Sequence, residues 1–326
     1  MMEAMTLDGG SESPKDTKLA TLREAYLERL TRPGIAFKIA DAFPMPAELP
    51  VLYEQLSELK ACLDSFRPLD PAQAENLREV FDTEYTFHSN AIEGNTLSLM
   101  ETDFVINKGM TVAGKSLREH LEATNHQVAI DFVRDLVRHD ADLTPFNLNQ
   151  IHALVLHAID RDNAGRYRNL PVFIRGSQHV PPQPYLIRPQ METMFAFYEA
   201  NKASIHPVQL AAKMHEKLVT IHPYIDGNGR TARLLMNLIL LRAGYPISII
   251  SSDQDERGAY YRTLEAANLS PTGDNSEFQR FVALNVRGWL LRYLGFVASN
   301  VSAEAKPKGS RFFQAIAPFL NGYARP

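Results

Sequence analysis

Apolar residues recur every three or four positions along most of the chain, which is the spacing of amphipathic helices. Two such patterns, Lys18–Leu30 and Leu49–Phe66, lie near the N-terminus, and one further helix is predicted in the tail. The remaining predicted helices cover residues 72–93, 98–108, 116–139, 147–160, 188–202, 206–221, 228–243, 254–268 and 276–297. The pattern therefore predicts a mainly α protein.

One segment departs from the helical spacing. Between Arg168 and Pro184 the sequence VFIRGSQHVPP has β-branched residues around a Gly-Ser turn, which predicts a short β-hairpin. Glycine, proline and polar clusters divide the rest of the chain. We expect a disordered N-terminus, a helical arm with a linker, a main domain and a tail, over residues 1–17, 18–70, 71–300 and 301–326.

Composition and charge argue against a nucleic-acid-binding, membrane or cysteine-zinc protein. A formal net charge of -4 gives the chain no general attraction to nucleic acid or anionic lipid. Cys62 is the only cysteine, which excludes an internal disulfide and a cysteine-based zinc site. The longest apolar run, Leu234–Leu241, is far shorter than the ~20 residues of a membrane span, and no secretory signal is recognisable. We expect a cytoplasmic protein without membrane or nucleic-acid partners.

The chemistry concentrates in the string HPYIDGNGRTAR, residues 222–233. Proline disfavours helical angles in the preceding residue, so His222 is predicted at a helix-to-loop junction, where its imidazole can face a cavity. Asp226 supplies a hard carboxylate of the kind that binds Mg²⁺ jointly with phosphates. The pattern therefore combines a proton acceptor with a metal ligand.

The second half of this string is suited to anions. Gly227, Asn228 and Gly229 allow backbone N–H groups to converge on one anion, and a predicted helix begins directly after them. Arg230 and Arg233 are three positions apart, so they share a face of that helix and can reach one polyphosphate. The alternative is a glycine-rich turn between two core helices, but the whole string favours a nucleotide-phosphate site with its own base.

The string resembles the signature of the Fic family, His-Pro-Phe-x-Asp-Gly-Asn-Gly-Arg-x-x-Arg, with Tyr224 in place of the phenylalanine. The resemblance extends from about Phe87 to Val286 and implies the Fic fold, a helical bundle with one β-hairpin flap. Further segments that resemble the animal endoplasmic-reticulum Fic enzyme and its bacterial relatives are GKSLREHLEATNH (114–126), AGRYR (164–168), HPVQLAAKMHEKLVTIHP (206–223) and RLLMNLILLRAGYP (233–246).

The resemblance implies a protein adenylyltransferase, which moves AMP from ATP to a Ser, Thr or Tyr hydroxyl of a target protein. His222 would take the hydroxyl proton, and Asp226 would hold Mg²⁺ across the α- and β-phosphates. Asn228, with the backbone of the glycines on either side, would stabilise charge on the α-phosphoryl oxygens. Family members often form homodimers, which makes a homodimer a further expectation.

The resemblance also assigns the other nucleotide contacts. Arg230 would hold the β-phosphate and Arg233 the γ-phosphate. Tyr260, Tyr261 and Asn268 resemble the adenine pocket of the family, although an insertion before their helix leaves the order of the two tyrosines open. The alternative for these three residues is plain helix packing.

The predicted hairpin resembles the flap on which the family docks its targets. Val172, Ile174 and Val180 would flank an extended target segment held by main-chain hydrogen bonds, as in strand addition. The alternative is a hairpin with a structural role only.

The string SNAIEGN, residues 89–95, resembles the inhibitory motif of the family. Ser89 and Glu93 are four positions apart at the end of predicted helix 72–93, so they share one face. The resemblance implies that Glu93 pairs with Arg233 and excludes the γ-phosphate, since a carboxylate and a phosphate compete for one guanidinium. The alternative is an ordinary helix end.

Other functions stay open at this point. The chain is alternatively a hydrolase that removes AMP with Glu93, or a nucleotide-sensing interaction protein without turnover. Other family members use other nucleotides or phosphocholine, and some act as kinases. Two histidine pairs could suggest zinc, but no cysteine or carboxylate spacing supports such a site; the pairs are His152 with His157 and His215 with His222.

Overall fold

The computed structural model describes residues 14–31, 38–300 and 308–322. Within these ranges the protein has twelve α-helices, one 3-10 helix (Ile39–Ala42) and no strand, so the prediction of a mainly α fold is confirmed. The α-helices are α1 (Pro14–Thr31), α2 (Leu49–Asp64), α3 (Pro71–Ile92), α4 (Leu99–Lys108), α5 (Leu117–Arg138), α6 (Pro145–Val155), α7 (Pro184–Asn201), α8 (Pro207–Ile221), α9 (Asn228–Arg242), α10 (Gln254–Leu269), α11 (Ser276–Ser299) and α12 (Ser310–Gly322).

The helices that carry the inhibitory motif and its neighbours begin at well-formed caps. The Asp70 carboxylate accepts the N–H groups of the first turn of α3, which starts on a proline. Ser98 and Ser116 each form a capping box with a glutamate three residues later, Glu101 in α4 and Glu119 in α5. These caps determine the residue at which each of the three helices starts.

Helices α8 and α9 form the centre of the bundle. Every residue of α9 from Leu234 to Leu240 is buried, as expected for a helix with neighbours on all sides. Helices α5, α6, α10 and α11 pack around this pair. The loop that joins α8 to α9 is residues 222–227, so the first half of the predicted chemical string forms this loop and residues 228–233 form the start of α9. No helix in the described ranges combines the length and apolarity needed to cross a bilayer.

The first and last α-helices of the described residues, α1 and α12, pack together. The Tyr26 ring of α1 meets Phe312 and Phe313 of α12 edge-on, with centroids 5.7 and 5.9 Å apart. Tyr53 of α2 donates a hydrogen bond to Gln279 of α11 at 3.2 Å. The predicted arm therefore shares the apolar core of the main domain within the described residues.

The prediction of disorder over residues 1–17 is corrected at its end. Helix α1 begins at Pro14, inside this segment, and α1 packs against α12. Residues 1–13 lie outside the described residues, as do residues 32–37 of the arm and residues 301–307 and 323–326 of the tail.

The predicted β-hairpin is wrong as a pair of strands. The segment is an extended loop whose only turn bond runs from the Ser177 N–H to the Ile174 carbonyl, at 3.2 Å. The Glu265 carboxylate of α10 accepts the Gln178 N–H at 2.6 Å and the Ser177 hydroxyl, so these groups are not available for a ladder. Prolines on both sides of the turn lack the N–H groups that pairing needs. Side-chain contacts to α10 therefore hold the loop in place of strand pairing.

Candidate active site

His222 directly follows α8 and adopts a left-handed conformation, with φ 48° and ψ 58°. The prediction of a helix-to-loop junction at this histidine is therefore confirmed. Its N–H donates to the Leu218 carbonyl at 2.9 Å, and its own carbonyl accepts from Arg168 Nε at 2.8 Å. A non-glycine residue keeps such a conformation only where its surroundings enforce it, and such residues cluster at functional sites.

Burial favours the neutral form of the His222 imidazole. Burial lowers its pKa to about 4, and the positive charge of Arg168 acts in the same direction, whereas the Val219 backbone carbonyl and the Glu93 carboxylate oppose the shift. The ring is therefore in the form that accepts a proton.

Asn228 braces the loop from within. Its side-chain oxygen accepts the Tyr224 N–H at 3.0 Å, and its amide donates to the Tyr224 carbonyl at 2.9 Å. These bonds leave its second amide N–H for another acceptor, so the contact of Asn228 with the α-phosphoryl oxygens stays a prediction. Asn228 also positions the loop.

His152 supports the loop from α6. Its ring stacks on Tyr224 with centroids 3.6 Å apart, and its Nδ1 accepts the Gly165 N–H at 2.9 Å. Its Nε2 must then carry the proton and donate to the Asp226 carbonyl, 2.9 Å away. Burial lowers the pKa of His152 to about 4, so the ring stays neutral. The described residues contain no group of three or more His, Cys, Asp or Glu side chains that could hold a metal ion.

Asp226 is a half-exposed carboxylate held by three donors. Its Oδ1 accepts the Gly227 N–H at 2.6 Å and Arg230 Nη2 at 3.3 Å, and its Oδ2 accepts Arg118 Nη2 at 2.8 Å. Burial opposes ionisation, but Arg230, the Gly227 amide and Arg118 outweigh it and lower the pKa of Asp226. One ionised carboxylate beside an anion site fits Mg²⁺, which binds proteins through one or two carboxylates plus substrate phosphates.

The start of α9 offers donors to an anion. Gly227 has φ 78°, a conformation that glycine adopts without strain, and it caps the helix. Arg230 is almost completely buried; its Nη1 lies 3.5 Å from Glu122 Oε1, and its Nε has no hydrogen-bond partner among the described residues. Buried guanidinium donors nearly always have an acceptor, so this geometry is suited to a phosphate.

Glu93 lies over this anion site. Its Oε1 accepts Arg233 Nη2 at 2.8 Å, while Ser89 accepts Arg233 Nε through its hydroxyl at 3.0 Å and Nη2 through its carbonyl at 2.7 Å. A Cβ at Gly229 would collide with Glu93 Oε1, so the carboxylate lies directly on the first turn of α9. Burial alone would lower the pKa of Arg233, but Glu93 and Tyr260 raise it. The structure thus brings together both residues of the predicted inhibitory motif and Arg233.

The structure separates the two tyrosines of the predicted adenine pocket. Tyr260 is buried and its hydroxyl lies 3.4 Å from Arg233 Nη1, so it supports the arginine. Tyr261 is exposed, and its hydroxyl donates to the Ile92 carbonyl at 3.3 Å. Asn268, seven residues later on the same face of α10, accepts the Thr220 hydroxyl at 2.5 Å. Of the three residues predicted for the adenine pocket, Tyr261 and Asn268 are therefore the accessible ones.

Arg168 links the flap, which is residues 169–183, to the catalytic loop. Its Nη1 donates to the Leu170 carbonyl at 2.8 Å and its Nη2 to the Pro182 carbonyl at 2.6 Å, while its Nε holds the His222 carbonyl. The AGRYR string contained this residue, but nothing in the sequence marked its three acceptors. One buried guanidinium therefore fixes both ends of the flap and the backbone of the candidate base.

The side chains of the flap differ in exposure. Among the predicted target-docking residues, Val172 and Ile174 are half-buried and Val180 is exposed. Phe173, which the sequence reasoning did not single out, is 86% exposed. The backbone near Phe173 has no ladder partner among the described residues, which leaves it available to a target strand.

Comparison with known proteins identifies the fold and the family. The Fic/DOC family model matches residues 142–240. "Protein adenylyltransferase Fic" from Nematostella vectensis is 43% identical over 202 residues, covering 61% of this chain and 46% of the relative. The protein of the same name from Aedes aegypti is 34% identical over 281 residues, covering 84% and 53%. The chain thus spans about half the length of these relatives.

Solved structures extend the comparison over more of the fold. A fragment of Fic-1 from C. elegans superposes with a TM-score of 0.67 at 33% identity, covering 76% of this chain and 72% of the fragment. A "Fic domain containing signaling protein" from Bacteroides thetaiotaomicron superposes with a TM-score of 0.66 at 28% identity, covering 78% and 99%. The signature loop, the helical bundle and these matches agree, and the chain belongs to the Fic family.

Proposed function

We propose that this protein is a Mg²⁺-dependent protein adenylyltransferase, which transfers AMP from ATP to a Ser, Thr or Tyr hydroxyl of a target protein. The observation that carries the proposal is that one short loop separates His222, at the end of α8, from the buried Arg230 in the first turn of α9, whose Nε has no hydrogen-bond partner among the described residues. A base alone would suit many reactions, but a base beside a phosphate site suits transfer from a nucleotide. The names of the animal relatives support the same activity.

The chemistry follows from this loop. His222 takes the proton of the target hydroxyl, and the oxygen attacks the α-phosphorus of ATP. A new P–O bond forms, the bond to the β-phosphate breaks, and pyrophosphate leaves. The N–H groups at the start of α9, together with Arg230, hold the phosphate oxygens on which charge develops. When bound, Mg²⁺ would neutralise phosphate charge, and Asp226 would be its protein ligand.

One experiment separates the main alternatives. The purified chain is incubated with Mg²⁺ and ATP labelled at the α-phosphate, with protein extract as a source of targets. Protein labelling is the expected result, and release of AMP from pre-labelled protein would indicate a hydrolase. ATP binding without either reaction would indicate a nucleotide sensor and overturn the proposal.

AMP removal is a second candidate activity. Glu93 is 36% exposed while it contacts Arg233, so its carboxylate is accessible to water beside the phosphate site. A carboxylate so placed can orient a water molecule against a protein-bound AMP. The same labelled-protein assay tests this activity.

Metal dependence gives a prediction at Asp226. Asp226→Asn keeps the side-chain size but lacks the charge, and we expect transfer at saturating ATP to fall about 10²-fold or more, since metal charge stabilisation contributes several kcal/mol. Initial rates are measured across a Mg²⁺ series, with the exposed Asp162→Asn as the matched control. Unchanged rates with an unchanged Mg²⁺ requirement would assign the metal to another ligand.

Target docking gives a prediction at Phe173. Phe173→Ser should lower protein labelling about tenfold or more, because covering an exposed phenylalanine contributes ~1.5–3 kcal/mol to binding a target. The affinity for Mg²⁺–ATP should stay the same, since the flap tip contacts the target and not the nucleotide. Phe296→Ser on α11 is the control. Equal loss of ATP affinity and of labelling would rule out a docking role.

Location and assembly stay predictions. We propose a cytoplasmic protein that forms a homodimer. Exposed apolar side chains at the starts of α4 and α5, Met100 and Leu117, support an association surface. Light scattering across a concentration series measures the assembly state.

A further inference from the structure

Arg118, near the start of α5, contacts the candidate metal ligand without being one of the signature residues. Its Nη2 is 2.8 Å from Asp226 Oδ2, and its Nε donates to Glu122 Oε1 at 3.1 Å. The other oxygen of Asp226 already accepts the Gly227 N–H and Arg230. Arg118 therefore occupies the outer side of the carboxylate, which is the side that a cation would approach.

We propose that Arg118 competes with the divalent cation for Asp226 and, once displaced, binds the terminal phosphates of the nucleotide. This inference rests on the proposed function. A guanidinium and a divalent cation repel each other and cannot share one carboxylate oxygen at close range. Cation binding at Asp226 thus requires that Arg118 leave.

The two arginines on Asp226 differ in their freedom to leave. The Arg118 side chain is 58% exposed, whereas that of Arg230 is 3% exposed. An exposed ion pair is worth little and breaks readily, but moving a buried arginine would require repacking around it. Arg118 is therefore the partner that the cation displaces.

Glu122 keeps the displaced side chain near the site. The Glu122 side chain is 12% exposed, and its Oε2 accepts the Asn95 amide at 3.0 Å, so its position is fixed. With Nε held by Glu122, the other nitrogens of Arg118 can turn away from Asp226 while staying beside it. Since a cation on Asp226 also contacts the phosphates, these nitrogens meet phosphate oxygens, which guanidinium groups bind strongly.

The test measures how Arg118→Gln changes two affinities, for Mn²⁺ and for Mg²⁺–ATP, which are expected to change in opposite directions. In a His222→Ala background that prevents turnover, Mn²⁺ binding to the nucleotide-free protein is measured by electron paramagnetic resonance. Mg²⁺–ATP binding is measured by calorimetry. We expect Mn²⁺ affinity to rise by up to about fivefold, the range for an exposed ion pair. We expect Mg²⁺–ATP affinity to fall about tenfold, as for a lost charge-assisted hydrogen bond.

Controls separate this role from a structural one. Arg138→Gln removes another exposed arginine of α5, paired with Asp135, and should change neither affinity. Two affinities that move together, or that stay unchanged in a folded Arg118→Gln protein, would overturn the inference and leave the proposed function intact. Asp226→Ala should abolish Mn²⁺ binding. Retained binding would overturn both the inference and the metal assignment in the proposed function.

Discussion

His222→Ala is expected to reduce AMP transfer by about 10²–10⁴-fold, the usual contribution of a general base. ATP binding should change little, because the imidazole contacts the proton in transfer and not the nucleotide. The bond from Arg168 is made to the His222 carbonyl, which alanine retains, so the loop should keep its shape. The measurement is the initial rate of protein labelling beside the calorimetric affinity for Mg²⁺–ATP.

The pH profile gives a second readout for the same residue. A base whose pKa is about 4 is neutral well below pH 7, so its contribution should be constant near neutrality and decline only as the pH falls through that value. His139→Ala, at an exposed histidine at the end of α5, is the matched control and should behave as wild type. Near-wild-type labelling by a folded His222→Ala protein would show that another group takes the proton.

Glu93→Gly is expected to increase AMP transfer, although most changes in an active site reduce activity. The carboxylate lies on the first turn of α9 and holds Arg233 at 2.8 Å, and under the proposed function this is where a phosphate of ATP would bind. Removing a charge-assisted contact worth ~1.5–3 kcal/mol should raise the rate about 10- to 100-fold where this contact limits productive ATP binding. Initial-rate labelling of wild type and variant measures the gain.

Substitution of Arg233, the partner of Glu93, tests whether the gain depends on their ion pair. Arg233→Ala in the Glu93→Gly background should cancel the gain, because both changes act through one anchor. Glu93→Gln, which keeps the size and removes the charge, should give an intermediate rate. Any AMP removal should disappear in Glu93→Gly together with the carboxylate. A folded Glu93→Gly protein that is no faster than wild type would reduce the motif to an ordinary helix end.

Glu93→Gly should also lower the melting temperature of the nucleotide-free protein. Arg233 is almost completely buried, and loss of its carboxylate partner leaves its charge with only neutral acceptors. Mg²⁺–ATP should restore the stability, because its phosphate supplies a new acceptor. The variant is thus expected to be both faster and more dependent on its nucleotide.

Local patterns predicted the parts of the site that are adjacent in sequence. The proline after His222 placed the base at a junction, and the glycines of the same loop indicated the anion site. The pairing of Glu93 with Arg233 spans 140 residues and was expected only through the family resemblance. Periodicity and spacing carry no information about such a distance, because it depends on how α3 packs against α9.

Other residues were missed or misassigned for a related reason. The contacts of Arg118 with Asp226 and of Arg168 with the His222 carbonyl join residues far apart in the chain, so no local signal marked them. Asn228 was expected to bind phosphate through the family resemblance, and its bonds to Tyr224, which also position the loop, had no signal in the sequence. The flap has β-branched residues typical of strands, yet Glu265, which binds it, lies on a helix nearly 90 residues away.

The anchoring of the flap by Arg168 has a consequence for how target choice can evolve. Because one guanidinium fixes both ends of the flap and the backbone of His222, the tip around Phe173 can change its side chains without moving the base. Under the proposed function, substitutions near Phe173 would change which targets bind while leaving His222 in place. A substitution of Arg168 would have a different effect. Under the proposed function it would disturb target recognition and proton transfer together, because it would release both the flap and the His222 backbone.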